Sequence, residues 1–530
     1  MKKLLSLLST ILISASSFAQ AEIGLDEKID QIFGNLTGWF VGLIFYQIPI
    51  TEEVGLYWVL IPLILGALFF TIYFGIPGIK LLPVSIRTVR GDYEHVEESE
   101  GQPNLIDGDN PDTIRVEGAD GEVSHFQALT AALSATVGLG NIAGVAVAVV
   151  VGGAGATFWM ILAGILGMSS KFVECTLGVK YREVGEDGRI YGGPMYYLKK
   201  GFGEKNMAGL GKFLAVAFAI LCIGGSFGGG NMFQANQATS MLLQSFNISS
   251  SYAGSLVGLL MALVVGIVII GGIKRIAQVT EKIVPFMALI YVGAALVIIV
   301  MNISLVPEAI STIVVKAFSP TAITGGVLGV LVQGFKRAAF SNEAGVGSAA
   351  IAHSAVKTKY PASEGVVALL EPLIDTVIIC TITALVIVIG NLKGMYLFGG
   401  SDGNTTITET GQVLSGVDLT SYVFESNIPH FSYILTIAVV LFAFSTMISW
   451  SYYGLQSWTF LFGKGKNKEM TYKILFCLFV IVGAAAKMGN VLDFSDAMIF
   501  GMMVPNMIGL MFLYPKVKEE LNRYLAKIKG

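Results

Sequence analysis

The chain has 530 residues, of which 54% are hydrophobic and only 13% are charged, whereas about 25% are charged in soluble domains. Its 34 basic and 37 acidic residues nearly cancel, which excludes a chain that binds nucleic acid through an overall basic surface. Four cysteines, all within apolar runs, exclude a disulfide scaffold and a clustered zinc site. With a mean hydropathy of +0.71, the composition predicts an all-α integral membrane protein embedded in a lipid bilayer.

The first 21 residues have the form of a cleavable secretory signal. Lys2 and Lys3 precede an apolar stretch that starts at Leu4, and the segment ends with small residues at Ala19 and Ala21. An uncleaved first span is the alternative. If the signal is cleaved, the mature chain begins outside the cell, and residues 22–55 form a periplasmic or interfacial segment.

Eleven apolar runs have the length, or nearly the length, of the roughly 20 residues that a helix needs to cross a bilayer. A single preceding helix is predicted at 56–76. Ten more follow in two sets of five, within 128–301 and 325–513, joined by an outer connection at 302–324. The predicted spans of these sets are 128–153, 157–177, 213–246, 253–272, 283–301, 325–355, 366–390, 433–462, 474–485 and 495–513.

The basic residues predict the orientation of these helices. Segments that would face inside contain 25 Lys and Arg residues, whereas outer segments contain four. By the positive-inside rule, the mature N-terminus lies outside and the basic tail 514–530 lies in the cytoplasm of a bacterial cell, with the chain in the inner membrane. The connection 77–127, with its acidic stretch at 92–122, is then cytoplasmic, and the segment 391–432 is an outer segment that could form a lid.

A short pattern recurs in the first helix of each predicted set. The first helix contains Gly138-Leu139-Gly140-Asn141-Ile142-Ala143, and the sixth contains Gly345-Val346-Gly347-Ser348-Ala349-Ala350. Since five is an odd number, two successive sets of five helices cross the membrane in opposite directions. The pattern therefore predicts two inverted five-helix repeats.

Glycines at alternate positions weaken a helix by about 1 kcal/mol each relative to alanine, and they free backbone groups that lipid cannot satisfy. A broken helix is tolerated where it lines a cavity, and its two halves present amides that suit a carboxylate and carbonyls that suit a cation. The two matched breaks therefore predict a site for an amino acid and a sodium ion. Close helix packing through small residues is the alternative interpretation.

Polar side chains at membrane depth are further candidates for this site. The amide of Gln234 follows a glycine-rich stretch in the third helix and could bond a substrate or a neighbouring helix. Ser445 and Thr446 are adjacent hydroxyls whose hard oxygens suit a small cation, and the indole of Trp450 could close one wall of a small pocket.

Two carboxylates within predicted spans have more than one interpretation. Glu343 could neutralise Lys336 and Arg337 in the same helix or attract the ammonium group of a substrate. Asp375 could serve a path for a cation or a proton, or it could be a buried, hydrogen-bonded carboxylate.

Six motifs in chain order resemble the alanine or glycine:cation symporter family, and the resemblance runs from about Leu56 to Leu513. The motifs are Ser124–Leu129, Gly138–Ala146, Gly152–Met160, Gly192–Tyr197, Gly230–Asn236 and Phe340–Gly345. The resemblance implies a LeuT-like (APC-type) fold of two inverted five-helix repeats, here with one preceding helix and eleven transmembrane helices. It also implies sodium-coupled import of alanine or glycine.

The resemblance implies a role for individual positions in substrate binding. The backbone from Thr136 to Asn141 would hold the carboxylate, and Gln234 with Asn342 or Glu343 would face the ammonium group. The candidate substrate-binding residues are Thr136, Gly138, Gly140, Asn141, Gln234, Asn342, Glu343, Gly345, Thr446 and Trp450, the last two bounding the small side chain.

Sodium is the coupling ion that the resemblance implies, and no other cofactor is expected. It would be held by Ser445 or Thr446 together with oxygens between Thr136 and Ala143. Asp375 remains a candidate relay for a proton or cation.

The sequence thus predicts a secondary active transporter for small neutral amino acids, working by alternating access, and not an enzyme. The G-x-S-x-G match at Ser226 lies in an apolar helix and lacks the strand that a nucleophile elbow needs, and no Walker motif is present. The alternatives are a symporter of the same fold that uses protons or another small solute and, less favoured, a channel.

Overall fold

The computed structural model describes residues 25–49, 55–93, 121–185, 188–250, 252–319, 326–400 and 403–529. The predicted signal at 1–21 and most of the acidic stretch lie outside these residues. The described part is mainly helical, which confirms the all-α class. Its strands form three short antiparallel hairpins: Gln47–Pro49 with Gly55–Tyr57, Glu183–Val184 with Ile190–Tyr191, and Asn404–Thr406 with Val413–Ser415.

The α-helices are numbered here in chain order. The first half of the chain contains α1 (Leu25–Ile44), α2 (Leu60–Tyr73), α3 (Pro77–Lys80), α4 (Leu82–Val89), α5 (His125–Thr136), α6 (Ala143–Gly152), α7 (Ala156–Lys180), α8 (Pro194–Glu204), α9 (Ala208–Phe227), α10 (Phe233–Ser245), α11 (Ala253–Ile269) and α12 (Gly272–Met301). The second half contains α13 (Val306–Ala317), α14 (Gly326–Asn342), α15 (Ala349–His353), α16 (Pro361–Ala368), α17 (Leu370–Pro372), α18 (Thr381–Leu392), α19 (Gly416–Asn427), α20 (Phe431–Phe462), α21 (Lys466–Ala485) and α22 (Met488–Lys529).

Fewer helices than eleven meet a strict test of length and hydropathy. Six helical rods in the described residues are long and apolar enough to cross a membrane, and a seventh is added if the bent pair α5 and α6 counts as one span. The helices α2 and α11 are apolar but have only 14 and 17 residues, and α21 begins with a charged turn. The number of eleven spans is therefore not confirmed and stays a prediction.

The predicted connections contain structure that the sequence did not indicate. The 20-residue helix α1 lies in the segment expected to be periplasmic or interfacial, and it packs against α22. The outer connection contains α13, and the outer segment 391–432 contains a hairpin followed by α19. These helices extend the helical part of the chain beyond the predicted spans.

The first glycine-rich stretch breaks its helix, as expected. The helix α5 begins with a capping box in which the side chains of Ser124 and Gln127 each accept a hydrogen bond from the other residue's backbone N–H. It ends at Thr136, a single 3₁₀ turn follows at Leu139–Asn141, and α6 continues at an angle of 54°. The break therefore falls within the predicted motif.

The second glycine-rich stretch also breaks its helix, between α14 and α15. Gly345 and Gly347 have φ angles of 80° and 96°, in the left-handed region that favours glycine. Glu343, with φ of 55°, adopts the same region despite its side chain. Both predicted helix breaks are thus present in the structure.

Two π-helical segments lie in the helices that face these breaks. Gly228–Met232 joins α9 to α10, and Leu373–Cys380 joins α17 to α18. A π segment shifts the side chains after it around the helix axis and is frequent at functional sites. Around these segments α7 packs against α14 and α16, and α20 packs against α5, α9 and α10.

Candidate substrate and cation site

The backbone amides freed at the first break bind side chains. The N–H of Gly138 donates to Oδ1 of Asn141 at 2.9 Å, and the N–H of Leu139 donates to Oε1 of Gln234 at 3.1 Å. Gln234 in turn donates from Nε2 to the carbonyl of Gly229 at 3.0 Å, in the π segment. The third helix thus contacts the broken backbone through the amide that the sequence singled out.

Gly138 is needed for close packing. A Cβ atom at this position would lie 2.4 Å from Oγ1 of Thr446 and 3.2 Å from Oε1 of Gln234. Gly140 is less crowded, because a Cβ atom there would lie 3.5 Å from the ring of Phe340, at an ordinary contact distance. Gly138 therefore lets α20 and α10 approach the break from two sides.

Hydroxyl and carbonyl groups link the last turns of α5 to α20. Oγ1 of Thr446 donates to the carbonyl of Ser134 at 2.9 Å, and Oγ of Ser134 donates to the carbonyl of Ser445 at 2.8 Å. Thr136 and Ser445 direct their hydroxyls to carbonyls of their own helices, those of Ala132 and Phe442. This concentration of neutral oxygens has the chemistry that a small hard cation requires.

The other position predicted for sodium is the backbone of Ala143, the first residue of α6. It is fully buried directly after the break, on the opposite side of the 3₁₀ turn from Thr136. Ser134, which sequence reasoning missed, is buried beside these groups. The sequence feature that could have indicated Ser134 is its position two residues before Thr136, in a segment already predicted to end at the site.

The carboxylate of Glu343 at the second break is buried and hydrogen-bonded. Its Oε1 accepts from Nε1 of Trp450 at 3.0 Å, and its Oε2 accepts from the hydroxyl of Ser348. Lys336 and Arg337 instead form ion pairs with Asp496 of α22. Glu343 therefore forms no ion pair with either of these two cations, and its interaction with a substrate ammonium stays a prediction.

Trp450 packs directly against the backbone of the third helix. A Cβ atom on Gly230 would lie 2.1 Å from Cγ of the indole, and one on Gly225 would lie 3.4 Å from its six-membered ring. The indole is 1% exposed. It forms a fixed wall between the second break and the π segment at Gly228–Met232.

Asp375 joins the two breaks. Nδ2 of Asn141 donates to its Oδ1 at 2.6 Å, and the hydroxyls of Ser341 and Thr376 donate to its Oδ2 at 2.8 and 2.7 Å. Asn342 donates from Nδ2 to Thr376 at 2.8 Å and accepts from the N–H of Ala344. Asp375 is thus the buried, hydrogen-bonded carboxylate that one of the two interpretations described, at the point where both interruptions meet.

The carbonyl of Gly345, also at the second break, accepts from Nδ2 of Asn506 at 2.8 Å. The same nitrogen lies 3.1 Å from Oε2 of Glu174, so α22 connects this break to α7. Among the residues that the structure describes, no group of three or more His, Cys, Asp or Glu could hold a metal ion. The site is therefore built from neutral oxygens, amides and two separately bonded carboxylates.

Comparisons with known proteins identify the family of this chain. The model of the sodium:alanine symporter family matches residues 46–530. The sodium/alanine symporter AgcS of Methanococcus maripaludis is 41% identical over 410 residues, covering 77% of this chain and 85% of that protein. A putative sodium/proton-dependent alanine carrier protein, YrbD of Bacillus subtilis, is 37% identical over 365 residues, covering 68% of this chain and 72% of that protein.

Among solved structures, that of MhsT in complex with L-phenylalanine superimposes with a TM-score of 0.52 at 17% identity. The match covers 75% of this chain and 89% of MhsT, which shows a shared membrane-transporter fold. The matching family model and AgcS both describe sodium:alanine symporters. They confirm the prediction of a multi-pass membrane transporter that is not an enzyme. The chain belongs to the sodium:alanine symporter family.

Proposed function

We propose that this chain imports alanine, glycine or another small neutral amino acid together with sodium by alternating access. Sodium-coupled amino-acid symport is the activity of the family to which it belongs. The observation that carries the proposal for this chain is the pair of broken helices linked by Asn141, Asp375 and Ser341. Two breaks that meet in one buried network supply backbone groups for a zwitterion and an ion.

In this proposal the amides between Gly138 and Asn141 bind the substrate carboxylate. Their present partners, Oδ1 of Asn141 and Oε1 of Gln234, are side chains that can turn away when a carboxylate arrives. Gln234, Asn342 and Glu343 then face the ammonium group. Glu343 is buried and interacts electrostatically with Lys171, but no Lys or Arg in the described residues forms an ion pair with it, so a substrate ammonium would be its direct partner.

Sodium is placed between α5 and α20 in the same proposal. The hydroxyls of Ser445 and Thr446 and the oxygens of Thr136 and Ala143 supply neutral hard donors. Thr446 and Trp450 bound the substrate side chain, and the contact of Trp450 with Gly230 leaves little room for a larger one. A bulky side chain would have to displace a fixed indole, which favours small substrates.

The membrane arrangement is also part of the proposal. We infer eleven spans, with one preceding helix and two inverted five-helix repeats, a periplasmic mature N-terminus after removal of a signal peptide, and a cytoplasmic C-terminus in the inner membrane. Support comes from the distribution of basic residues and from the break in the first helix of each set. One positive charge that enters down a membrane potential of 100 mV, negative inside, supplies about 2.3 kcal/mol, enough for roughly fifty-fold accumulation.

Uptake of radiolabelled alanine into proteoliposomes tests the function. An inward sodium gradient should drive accumulation, whereas an equal gradient of potassium or choline should not. Excess unlabelled glycine should compete, and phenylalanine should compete far less. Uptake that is indifferent to sodium would refute the proposal.

A proton-coupled symporter is the second candidate, favoured by the buried carboxylate of Asp375 and by the similarity to YrbD, which is described as a putative sodium/proton-dependent alanine carrier protein. It predicts uptake driven by a pH gradient without sodium. A channel would show currents without accumulation. The same proteoliposomes distinguish all three outcomes.

A further inference from the structure

A second group of charged side chains lies next to the proposed ligand positions and is not used by them. It connects α5, α7, α15, α16 and α17, and its members are His125, Lys171, Glu174, His353, Glu364 and Glu371. Five of them are completely buried, whereas the side chain of His125 is 12% exposed. This group is called the histidine–glutamate cluster below.

The cluster forms a continuous chain of contacts. Nδ1 of His125 contacts Oε2 of Glu364, whose Oε1 contacts Nδ1 of His353. Nε2 of His353 contacts Oε1 of Glu371, whose Oε2 lies 2.7 Å from Nζ of Lys171. The path therefore runs from a partly exposed imidazole to an ammonium group deep in α7.

Counting hydrogens along this path shows that it holds one proton more than neutral imidazoles and ionised carboxylates would supply. Both ring nitrogens of His353 face carboxylate oxygens at hydrogen-bonding distance, and each contact needs one hydrogen. A neutral imidazole supplies only one N–H. Either His353 is an imidazolium, or one of Glu364 and Glu371 is a protonated carboxylic acid.

The charge balance of the cluster also favours an additional proton. With neutral imidazoles, the carboxylates of Glu174, Glu364 and Glu371 would face only the ammonium of Lys171. Two uncompensated negative charges in a region away from water are expensive. A proton on the path between Glu364 and Glu371 lowers this excess.

We propose that Glu364, His353 and Glu371 hold one shared, exchangeable proton, which enters and leaves through His125. The proton acts on the link between α5 and α16, because Glu364 contacts His125 through Oε2 and His353 through Oε1. The ligand of this site is a proton, and neither sodium nor the amino acid binds there. The site differs from Asp375, which bonds to Asn141, Ser341 and Thr376 and to no member of the cluster.

The location of the cluster gives the proton a function, which rests on the proposed transport activity. The helix α5 carries Ser134 and Thr136 at its end beside the break, so any movement of α5 away from α16 changes the proposed sodium site. Such a movement must separate His125 from Glu364. Loss of the shared proton leaves Glu364 a full carboxylate and therefore a stronger acceptor for the Nδ1–H of His125. We therefore expect turnover to fall as pH rises.

Other titratable groups face the cluster and could contribute to its protonation. They are Cys175 on α7, Glu343 at the second break, Tyr197 on α8 and Tyr453 on α20. Glu343 interacts electrostatically with Lys171, so a substrate charge at the second break would be felt by the cluster. The experiments must therefore assign the proton to particular residues.

Nuclear magnetic resonance of the full chain in lipid bilayers can locate the proton without any transport assay. The sequence has four histidines, so ¹⁵N-labelled histidine gives few signals, and His353→Gln identifies the one of interest. At about pH 7.5 we expect His353 to carry hydrogen on both nitrogens or to bond a protonated Glu364 or Glu371. Infrared difference spectra against Glu364→Gln and Glu371→Gln measure whether either carboxyl group is protonated. A neutral His353 beside two ionised carboxylates would overturn the proposal.

Exchange of labelled alanine across liposomes, with equal sodium on both sides, tests the functional consequence. Between about pH 6 and about pH 8, wild-type exchange should fall about five-fold, the effect of one net hydrogen bond. His125→Gln should retain exchange but flatten this pH profile. The control His430→Gln, at an exposed position, should keep the wild-type profile. Should His353→Gln fail to fold, His125→Gln at the partly exposed end still provides the test.

The two proposals fail in different ways. If His125→Gln has the wild-type pH profile, His125 is not the route of the proton and this inference is wrong. If the wild-type chain exchanges no amino acid at any pH, the proposed function is wrong, while the resonance measurement still decides whether the cluster holds a proton.

Discussion

The indole Nε1 of Trp450 donates to Oε1 of Glu343 at 3.0 Å, joining the middle of α20 to the second break. Both side chains are buried, and Glu343 stands in a left-handed backbone conformation. This bond fixes a charge and an apolar wall in one position. Its removal is the most direct test of the proposed substrate site.

Trp450→Phe keeps an aromatic wall but removes the donor, leaving an oxygen of Glu343 without that partner. An unsatisfied buried oxygen costs about 1–3 kcal/mol, and we expect alanine to bind roughly ten-fold more weakly or worse. Equilibrium binding or concentration-dependent uptake measures the effect. The matched control is Trp458→Phe, because Nε1 of Trp458 is buried and has no hydrogen-bond acceptor in the described structure. Equal losses in the two variants would contradict a role for the bond.

Gly138→Ala introduces a Cβ atom that would lie 2.4 Å from the hydroxyl oxygen of Thr446. We expect the hydroxyl to be displaced and uptake to fall by at least about ten-fold, since overpacking typically costs about 1–3 kcal/mol. Gly144→Ala in α6 is the control, because no atom lies within 4 Å of its added Cβ.

A double variant separates packing from ion binding at the same position. Gly138→Ala with Thr446→Ala relieves the clash and should restore thermal stability, but it removes a proposed sodium ligand. Uptake should then need a higher sodium concentration. Full recovery of the wild-type sodium dependence would exclude Thr446 as a ligand.

Asp375→Asn replaces one acceptor oxygen by a donor in a network that already supplies three donors from Asn141, Ser341 and Thr376. We expect uptake to decrease about ten-fold or more, because a buried donor now faces another donor. The remaining uptake should still depend on sodium. If sodium dependence disappears together with uptake, proton coupling through Asp375 becomes the better interpretation.

Asp418 at the start of α19 predicts a pH-dependent stability. Burial raises the pKa of Asp418 to about 6, and a hydrogen bond from Ser240 only partly opposes this. The pKa of Asp418 is higher in the folded chain than in the unfolded chain. Its contribution to the free energy of unfolding is therefore fully present below about pH 4 and is lost as pH rises through about 6. The loss amounts to at most about 3 kcal/mol.

The thermal transition of the purified protein measures this effect. Asp418→Asn should gain stability relative to wild type at pH 7.5 and show little difference at pH 4. Glu425 is a suitable control, since burial opposes its ionisation while N–H groups of Ser432 and His430 hold its pKa below the usual value. Glu425→Gln should therefore lose stability at pH 7.5, with the opposite sign.

The two breaks could be predicted because they depend on local sequence. Gly138 and Gly140 in one helix, and Gly345 and Gly347 in another, weaken backbone hydrogen bonding wherever they occur. The candidate residues Gln234, Thr446 and Trp450 also followed from polar groups in apolar segments. In the structure all of them lie at or beside a break.

The histidine–glutamate cluster could not be predicted in this way. His125 and Glu364 are 239 residues apart in the chain, and only the packed fold brings them together. The π segment at Leu373–Cys380 contains no glycine or proline, so its sequence predicted a regular helix. Asp375 lies in this segment, which explains why its bridging position between the breaks was not foreseen.

If Trp450 bounds the substrate as proposed, its contact with Gly230 restricts how the substrate specificity could change. On the side of Gly230 the ring rests on main chain, which has no side chain that could move to make room for a larger substrate. Variants that accept bulkier substrates would have to replace Trp450 by a smaller side chain, since Gly230 on the other side of the ring has no room for even one methyl group. Evolution of a new specificity at this wall is thereby confined to one of its two faces.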